Sequence, residues 1–256
     1  MLRRGLAVDL AEVESLISSK KVQVNGSFAS TPAQMVLKSD SLELTPNSNR
    51  YVSRGGDKLE HALQVFDINP ENLNCVDIGA STGGFSDCLL QQGASTVTTI
   101  DVGYGLLHER LANDPRIIKF ERLNIRDASS KIPHQQFGLL VADLSFISLK
   151  LVLQDLMNLC TIRASMVLLM KPQFESSYEE ASRAKGVIRD PRIWKRTLKE
   201  VQEEANTLGA PLQKITASPL SGARGNREFF VHLKIGGEQQ PINIDLVIEE
   251  MKLDSE

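Results

Sequence analysis

The chain is short of several things, and each shortage excludes something. It has three cysteines, Cys75, Cys88 and Cys160, and no C-x-x-C pair. An odd, scattered set argues against a disulfide framework or a zinc site and fits a reducing compartment. No His/Cys/Asp cluster has ligand spacing, so no metal is expected. No apolar run approaches the ~18 residues that a membrane span needs, and stretches such as Met166–Met170 are strand-sized. The basic N-terminus, MLRRGLAVDL, has its apolar stretch broken by Asp9 and lacks a secretory core, which points to the cytoplasm. Net charge is only −3, so nothing global points to nucleic acid. What remains is ordinary globular composition, 41% hydrophobic and 24% charged over 256 residues. That is enough for one domain plus a small second one.

Charge is uneven along the chain. Residues 1–56 carry 7 basic and 5 acidic groups, 171–199 carry 8 and 4, and 236–256 carry one lysine against six acids. Phosphate contacts need only such local basic patches.

Residues 1–46 read as a small module. Glu12–Ser19 is helical, with Val13, Leu16 and Ile17 on one stripe. VQVNGSFA alternates around Asn25-Gly26, a type I′ turn signal, so it predicts a hairpin, and Ser41–Leu44 adds a third strand. TPNSNRYVSRGG, residues 45–56, predicts a linker, set at 47–56 in the division into domains. From 57 to 236 apolar runs alternate with amphipathic ones. Strands are predicted at Cys75–Ile78, Thr96–Ile100, Ile117–Phe120, Leu139–Ala142, Met166–Met170 and Phe229–Leu233. Helices are predicted at Lys58–Phe66, Phe85–Gln92, Leu106–Asn113, Leu149–Leu159 and Pro191–Leu208. This rhythm predicts an α/β fold, a mostly parallel Rossmann-like sheet with helices on both faces. The acidic tail, 237–256, is expected to be loosely held.

The sharpest local feature is VDIGASTGGFSD, residues 76–87. A buried strand runs into Asp77, and Gly79, Gly83 and Gly84 form a turn that opens a helix. Glycines admit close backbone approach, and a helix N-terminus offers free N–H groups. A dinucleotide loop requires G-x-G-x-x-G, but Ser81 stands at the middle glycine. A serine-hydrolase elbow matches G-x-S-x-G through Gly79, Ser81 and Gly83, with Asp143 and His232 as its partners, although the turn follows the first strand of the sheet. An S-adenosylmethionine site uses the same loop, with Asp101 about 20 residues on for ribose hydroxyls and Asn124 for the adenine edge. Asp101 could instead cap the next helix.

Four ionisable residues stand at strand ends or helix starts: Lys58, Asp143, Lys171 and Glu228. Singly each reads as a solvated edge charge. Together, at one end of one sheet, two lysines beside carboxylates can align a hydroxyl and bias its proton off.

DIGASTGGF, DVGYG, ER-x-N-x-R, D-x-SFISL, KPQFE, GV-x-RD and G-x-x-GN-x-EF resemble the TlyA (haemolysin A) family of ribosomal RNA methyltransferases. That family resembles the FtsJ-type (RrmJ-like) 2′-O-ribose methyltransferases and adds an N-terminal S4-like RNA-binding module. The resemblance is dense over 51–235 and looser over 6–46. It implies S-adenosylmethionine-dependent methylation of a ribose 2′-hydroxyl, of a cytidine, in ribosomal RNA or ribosomal subunits. It also implies a catalytic tetrad of Lys58, Asp143, Lys171 and Glu228, with Lys171 at the hydroxyl. The donor would be held by Asp77, Gly79, Ala80, Ser81, Thr82, Gly83, Gly84, Phe85, Asp101, Val102, Asn124, Ile125 and Asp143. RNA would meet Arg3, Arg4, Lys20, Lys21 and Arg54, and also Arg183, Lys185 and Arg189, in a stretch that continues to Arg192, Lys195 and Arg196. The chain departs from the family pattern at its start. It begins at what would be the second S4-like helix and has Lys20 where glycine is usual, which implies a reduced RNA footprint or a natural start further upstream. The rivals are a non-catalytic RNA-binding or ribosome-assembly protein and a pore-forming haemolysin. No strongly amphipathic membrane helix supports the latter.

Overall fold

A computed structural model describes residues 1–7, 9–18, 21–24, 27–29, 31–37, 40–44, 50–132 and 136–253. Lys20 and the Asn25-Gly26 turn lie outside them. The chain divides into two units, Met1–Arg50 and Tyr51–Glu256.

The first unit holds α1 (Leu10–Ser18), β1 (Val22–Val24), β2 (Ser27–Phe28) and β3 (Leu42–Leu44). The Asp9 carboxylate accepts from the Glu12 amide at 2.8 Å and caps the helix. The alternation read in the sequence sets the sheet: β1 pairs antiparallel with β2 and with β3. Val22 and Val24 point inward with Ala29, against Leu16 and Ile17.

The second unit holds, in chain order, α2 (Arg54–Phe66), β4 (Asn74–Ile78), α3 (Gly84–Gln91), β5 (Thr96–Asp101), α4 (Glu109–Ala112), β6 (Ile117–Glu121), α5 (Ile125–Ala128), β7 (Phe137–Ala142), α6 (Leu153–Leu159), β8 (Cys160–Met170), α7 (Pro172–Glu175), α8 (Tyr178–Arg183), α9 (Pro191–Thr207), β9 (Leu212–Ala217), β10 (Phe229–Lys234) and α10 (Ile244–Leu253). The seven strands run in the order β6-β5-β4-β7-β8-β10-β9. The five from β6 to β8 are parallel, and β10 runs antiparallel to both its neighbours. This is the Rossmann-like sheet expected.

Alternate side chains leave opposite faces of each strand. Cys75, Leu139, Val141, Val167, Leu169 and Phe230 therefore meet α2 and α3 in one core. Val76, Ile78, Leu140, Ala142, Met166, Leu168 and Phe229 meet α5, α6, α9 and α10 in the other. Burial on both faces explains why these strands read as continuous apolar runs.

Three expectations need correction. The stretch predicted as a linker, 47–56, ends inside the second unit: Tyr51 is buried, and α2 begins at Arg54. Gly56 is there because it packs against the Tyr51 ring, where a Cβ has no room. The tail is not loose over its described part, which ends at residue 253. Ile244, Ile248 and Met251, spaced 4 and 3 apart, are buried in the main core, and Lys195 pairs with Asp245 at 2.5 Å. The acidic composition masked a helical stripe. Finally, Leu106–Asn113 is helical only over α4, and β9 was not anticipated.

Candidate active site

The cleft opens where the parallel strands end. After β4 the chain turns through Gly79 (φ 78°), Ser81 (φ 49°) and Gly83 (φ 92°) into α3, whose N-terminus no side chain caps. Gly79 is obligatory here. A Cβ on it would stand 2.6 Å from the Asp143 carbonyl oxygen, so the loop after β4 and the end of β7 touch backbone to backbone. Ser81 holds a left-handed backbone because its amide donates to Asp101 Oδ2 at 2.8 Å. Asp101 Oδ1 accepts from the Gly103 amide at 2.7 Å. Asp101 therefore braces the glycine turn. It does not cap α4, which His108 caps.

Asp77 lies beneath the turn, fully buried. Its Oδ2 accepts from Ser86 Oγ at 2.6 Å, and its Oδ1 has no partner. Burial pushes its pKa up to about 7, the Ser86 hydrogen bond works against this, and the nearby Asp143 and Asp101 charges add to the rise. The cleft, about 230 Å³, is lined by Ser53, Arg54, Gly55 and Lys58 from the start of α2, by Asp77 and residues 79–82, 84 and 85, and by Asp143.

Across the cleft stand two lysine–carboxylate pairs. Lys58 Nζ reaches Glu228 Oε2 at 2.6 Å, and Lys171 Nζ lies 2.6 Å from Asp143 Oδ1. The second contact is an ion pair by distance without hydrogen-bond alignment. Lys171 also donates to Ser145 Oγ at 3.1 Å. Lys58 is in the second turn of α2, Asp143 follows β7, Lys171 follows β8 and Glu228 precedes β10. The antiparallel course of β10 puts its first residues beside the last of β8, with Phe229 opposite Met170. That register brings a residue late in the chain to the carboxyl ends of the parallel strands.

The FtsJ-like methyltransferase family matches residues 51–235, the second unit almost entire. The chain belongs to that family. As an FtsJ-like methyltransferase it is an enzyme, and its methyl donor is S-adenosylmethionine. The site fits that donor, a sulfonium with an amino-acid tail: an unpartnered oxygen of a buried carboxylate and an uncapped helix N-terminus both face the cleft. The chain is 41% identical to the 16S/23S rRNA (cytidine-2′-O)-methyltransferase TlyA of Mycobacterium tuberculosis, over 91% of this chain and 87% of that protein. It is 36% identical to Hemolysin A of Brachyspira hyodysenteriae, over 90% of this chain and 96% of that protein. A solved structure from Streptococcus thermophilus that carries a hemolysin designation superposes with a TM-score of 0.80 at 33% identity, covering 99% of this chain and 96% of that one. Among the described residues no helix is long and apolar enough to cross a membrane.

The other predicted residues of this methyltransferase are placed as follows. The Leu123 amide donates to the Asp101 carbonyl at 3.0 Å, which draws Asn124 to the strand end that carries Asp101 and Val102. Asn124 is exposed and caps α5 through the Arg126 amide, Val102 is exposed, and Ile125 is core. Arg54 is exposed at the cleft mouth. Arg3 is exposed, and Arg4 is tied to the carbonyls of Asp40 and Leu37 at 2.7 and 2.9 Å. Lys21 is half-buried. Arg183 pairs with Glu179 at 3.6 Å, whereas Lys185 and Arg189 are exposed. Arg192 pairs with Asp190 at 2.8 Å and Arg196 with Glu180 at 2.6 Å, where the guanidinium holds Glu180 down at about 2. The elbow reading loses its base: His232 meets Ser165 Oγ at 3.1 Å and stacks on Phe66, and burial holds its pKa down at about 4.

Sequence reasoning passed over Ser53, Ser145, Phe146 and Phe174. The Phe146 ring is 90% exposed, on a backbone with φ 64°, and lies 5.2 Å from the Phe174 ring. The signal was in SFISL and KPQFE, two segments that meet only in the fold.

Proposed function

We propose that the chain methylates a ribose 2′-hydroxyl of ribosomal RNA, a cytidine in the finer reading, with Lys58, Asp143, Lys171 and Glu228 at the acceptor. The observation that carries this is that Lys58 and Asp143, each paired with an opposite charge at 2.6 Å, line one cleft with the glycine turn. The rRNA 2′-O-methyltransferase name of the M. tuberculosis relative supports the substrate.

S-adenosylmethionine supplies an electrophilic methyl on a sulfonium. The residues then have two tasks, to hold that group and to bring an oxygen in line with it. Asp77 and the Gly79–Phe85 turn take the charged tail, and Asp101, Val102, Asn124 and Ile125 take the nucleoside end. Lys171 directs its N–H donors at the ribose oxygen, and Asp143 fixes the lysine. Lys58, held by Glu228, supports the same oxygen from α2. Alignment supplies most of the rate, because the methyl is already activated. As its oxygen takes the methyl, the hydroxyl would pass its proton to the Asp143 carboxylate, which is partly open to solvent, and the donor would leave as a neutral thioether.

RNA phosphates would be met by Arg54 at the cleft mouth, by Lys185 and Arg189, with Arg183 beside them, and by Arg3, Arg4 and Lys21 of the first unit, read as an S4-like module. A ribosomal substrate implies the cytoplasm. The test is transfer of labelled methyl to purified ribosomal subunits and to naked rRNA, followed by mapping of alkali-resistant positions. We expect one nucleotide to be labelled in a subunit. Base-labile label, or none with the donor bound, overturns the 2′-hydroxyl reading.

A further inference from the structure

Lys171 and Glu175 sit at the two ends of one short helix. Lys171 precedes α7 and Glu175 is its last residue. Opposite runs the loop 143–149. The front of this pair of segments is joined by Lys171, to Asp143 at 2.6 Å and to Ser145 at 3.1 Å. The back is joined by Glu175: its Oε2 accepts from Ser148 Oγ at 2.5 Å and its Oε1 from the Leu149 amide at 2.7 Å. Glu175 is buried. The charged groups facing it are Lys150 on the loop and Glu200 on α9, which pair with each other at 2.5 Å.

Between the two bridges is Phe146, a bulky residue in the left-handed region. That conformation is strained for a residue with a Cβ and persists only where the surroundings impose it. A loop pinned at both ends imposes it. A buried carboxylate is costly unless its oxygens are hydrogen-bonded, and here both are, to the same loop.

We propose that Glu175 is a positioning residue: by gripping Ser148 and the Leu149 amide it clamps loop 143–149 to α7 and so sets Lys171 against Asp143 and Ser145. The consequence for rate rests on the role given to Lys171 above, while the clamp itself does not.

The test uses the full chain and two readouts. One is methyl transfer to ribosomal subunits, resolved into kcat and KM. The other is trace acetylation of Lys171 by acetic anhydride, quantified by mass spectrometry against the other lysines. In Glu175→Ala we expect kcat to fall between about 10- and 100-fold, the scale set by ångström misplacement of a reacting group. KM for the subunit and donor affinity by calorimetry should hold, and Lys171 acetylation should rise several-fold. Glu175→Gln keeps an acceptor for the Leu149 amide and should recover most of kcat. Unchanged Lys171 acetylation, or a lower Tm with kcat intact, overturns the proposal, as does a parallel loss of donor affinity. If Glu175→Ala does not fold, Ser148→Ala removes one grip only. It must then lower kcat and raise Lys171 acetylation by smaller factors, and no change in either overturns the clamp. If the wild-type chain fails to methylate rRNA, the substrate reading falls and the acetylation pattern alone decides the clamp.

Discussion

The two halves of the cleft solve opposite electrostatic problems. On the β4–β5 side, Asp77 and Asp101 accept only neutral donors, from Ser86, Ser81 and Gly103. One Asp77 oxygen is left with nothing. On the β7–β8–β10 side each carboxylate faces a lysine at 2.6 Å. The first half is incomplete without a cationic guest, and the second holds its charges already paired, though the Asp143 contact lacks hydrogen-bond alignment. A sulfonium donor suits the first. A neutral hydroxyl that must be aligned suits the second, because charges already paired need little rearrangement as it enters. The halves also differ in construction. The first is one turn plus a strand end 20 residues away. The second draws on four places in the chain, with Lys58 and Glu228 separated by 170 residues.

The sharpest break in this comparison is Lys171→Ala. It should reduce kcat by about 10²–10⁴-fold, the range for a lost proton-handling or orienting group, while calorimetry finds donor affinity within about two-fold of wild type. Equal losses in both would dissolve the division into halves. Next in size is the contrast between the two pairs themselves. Glu228 is 4% and Lys58 13% exposed, whereas Asp143 is 32% exposed. Removing one partner of a buried pair costs about 3–5 kcal/mol. Glu228→Ala should therefore lower urea-unfolding stability by that order, and Asp143→Ala by only about 1 kcal/mol, since solvent screens a partly exposed group. The reverse ranking would mean that the pairs do not differ as their burial says.

The smallest effect probes the incomplete half. Asp77 has a pKa of about 7 in the folded apo protein, against an ordinary 3.8. A raised carboxyl contributes stability that is fully present below about pH 4 and is lost as pH rises through about 7. At pH 8 the apo protein should therefore be less stable than Asp77→Asn, and the two should converge near pH 4. Donor affinity should show the opposite sign: in the wild type it strengthens from pH 6 to 8 as Asp77 ionises, and in the variant it is weaker and flat. Thermal melts and calorimetry across that range decide it. A variant that binds donor as tightly as wild type removes Asp77 from the donor site.

The parts legible in the sequence were those carried by near neighbours. VDIGASTGGF announces a strand, a glycine turn and a helix within a dozen residues. The alternation of apolar runs announces a sheet buried on both faces, and VQV announces an inward–outward strand. The four ionisable residues at element ends could be marked from the layout and grouped at one end of the sheet, and the resemblance gave each its role. Two segments misled because composition spoke louder than spacing. The acidic tail hid Ile244, Ile248 and Met251, and Gly55-Gly56 suggested a linker where Gly56 accommodates a buried tyrosine. Ser145 and Glu175 lay inside SFISL and KPQFE without standing out, since a serine and a glutamate acquire meaning only from what faces them in the fold.

By itself the sequence determined the elements, the class of sheet and the glycine turn, because backbone sterics and hydrophobic period act over a few residues. Only the tertiary structure decided which lysine meets which carboxylate, which pair is shielded from water, and that one buried carboxylate is left half-satisfied. Those depend on the register of β10 against β8 and on low-dielectric burial, where a charge is governed by neighbours that the chain supplies from far away.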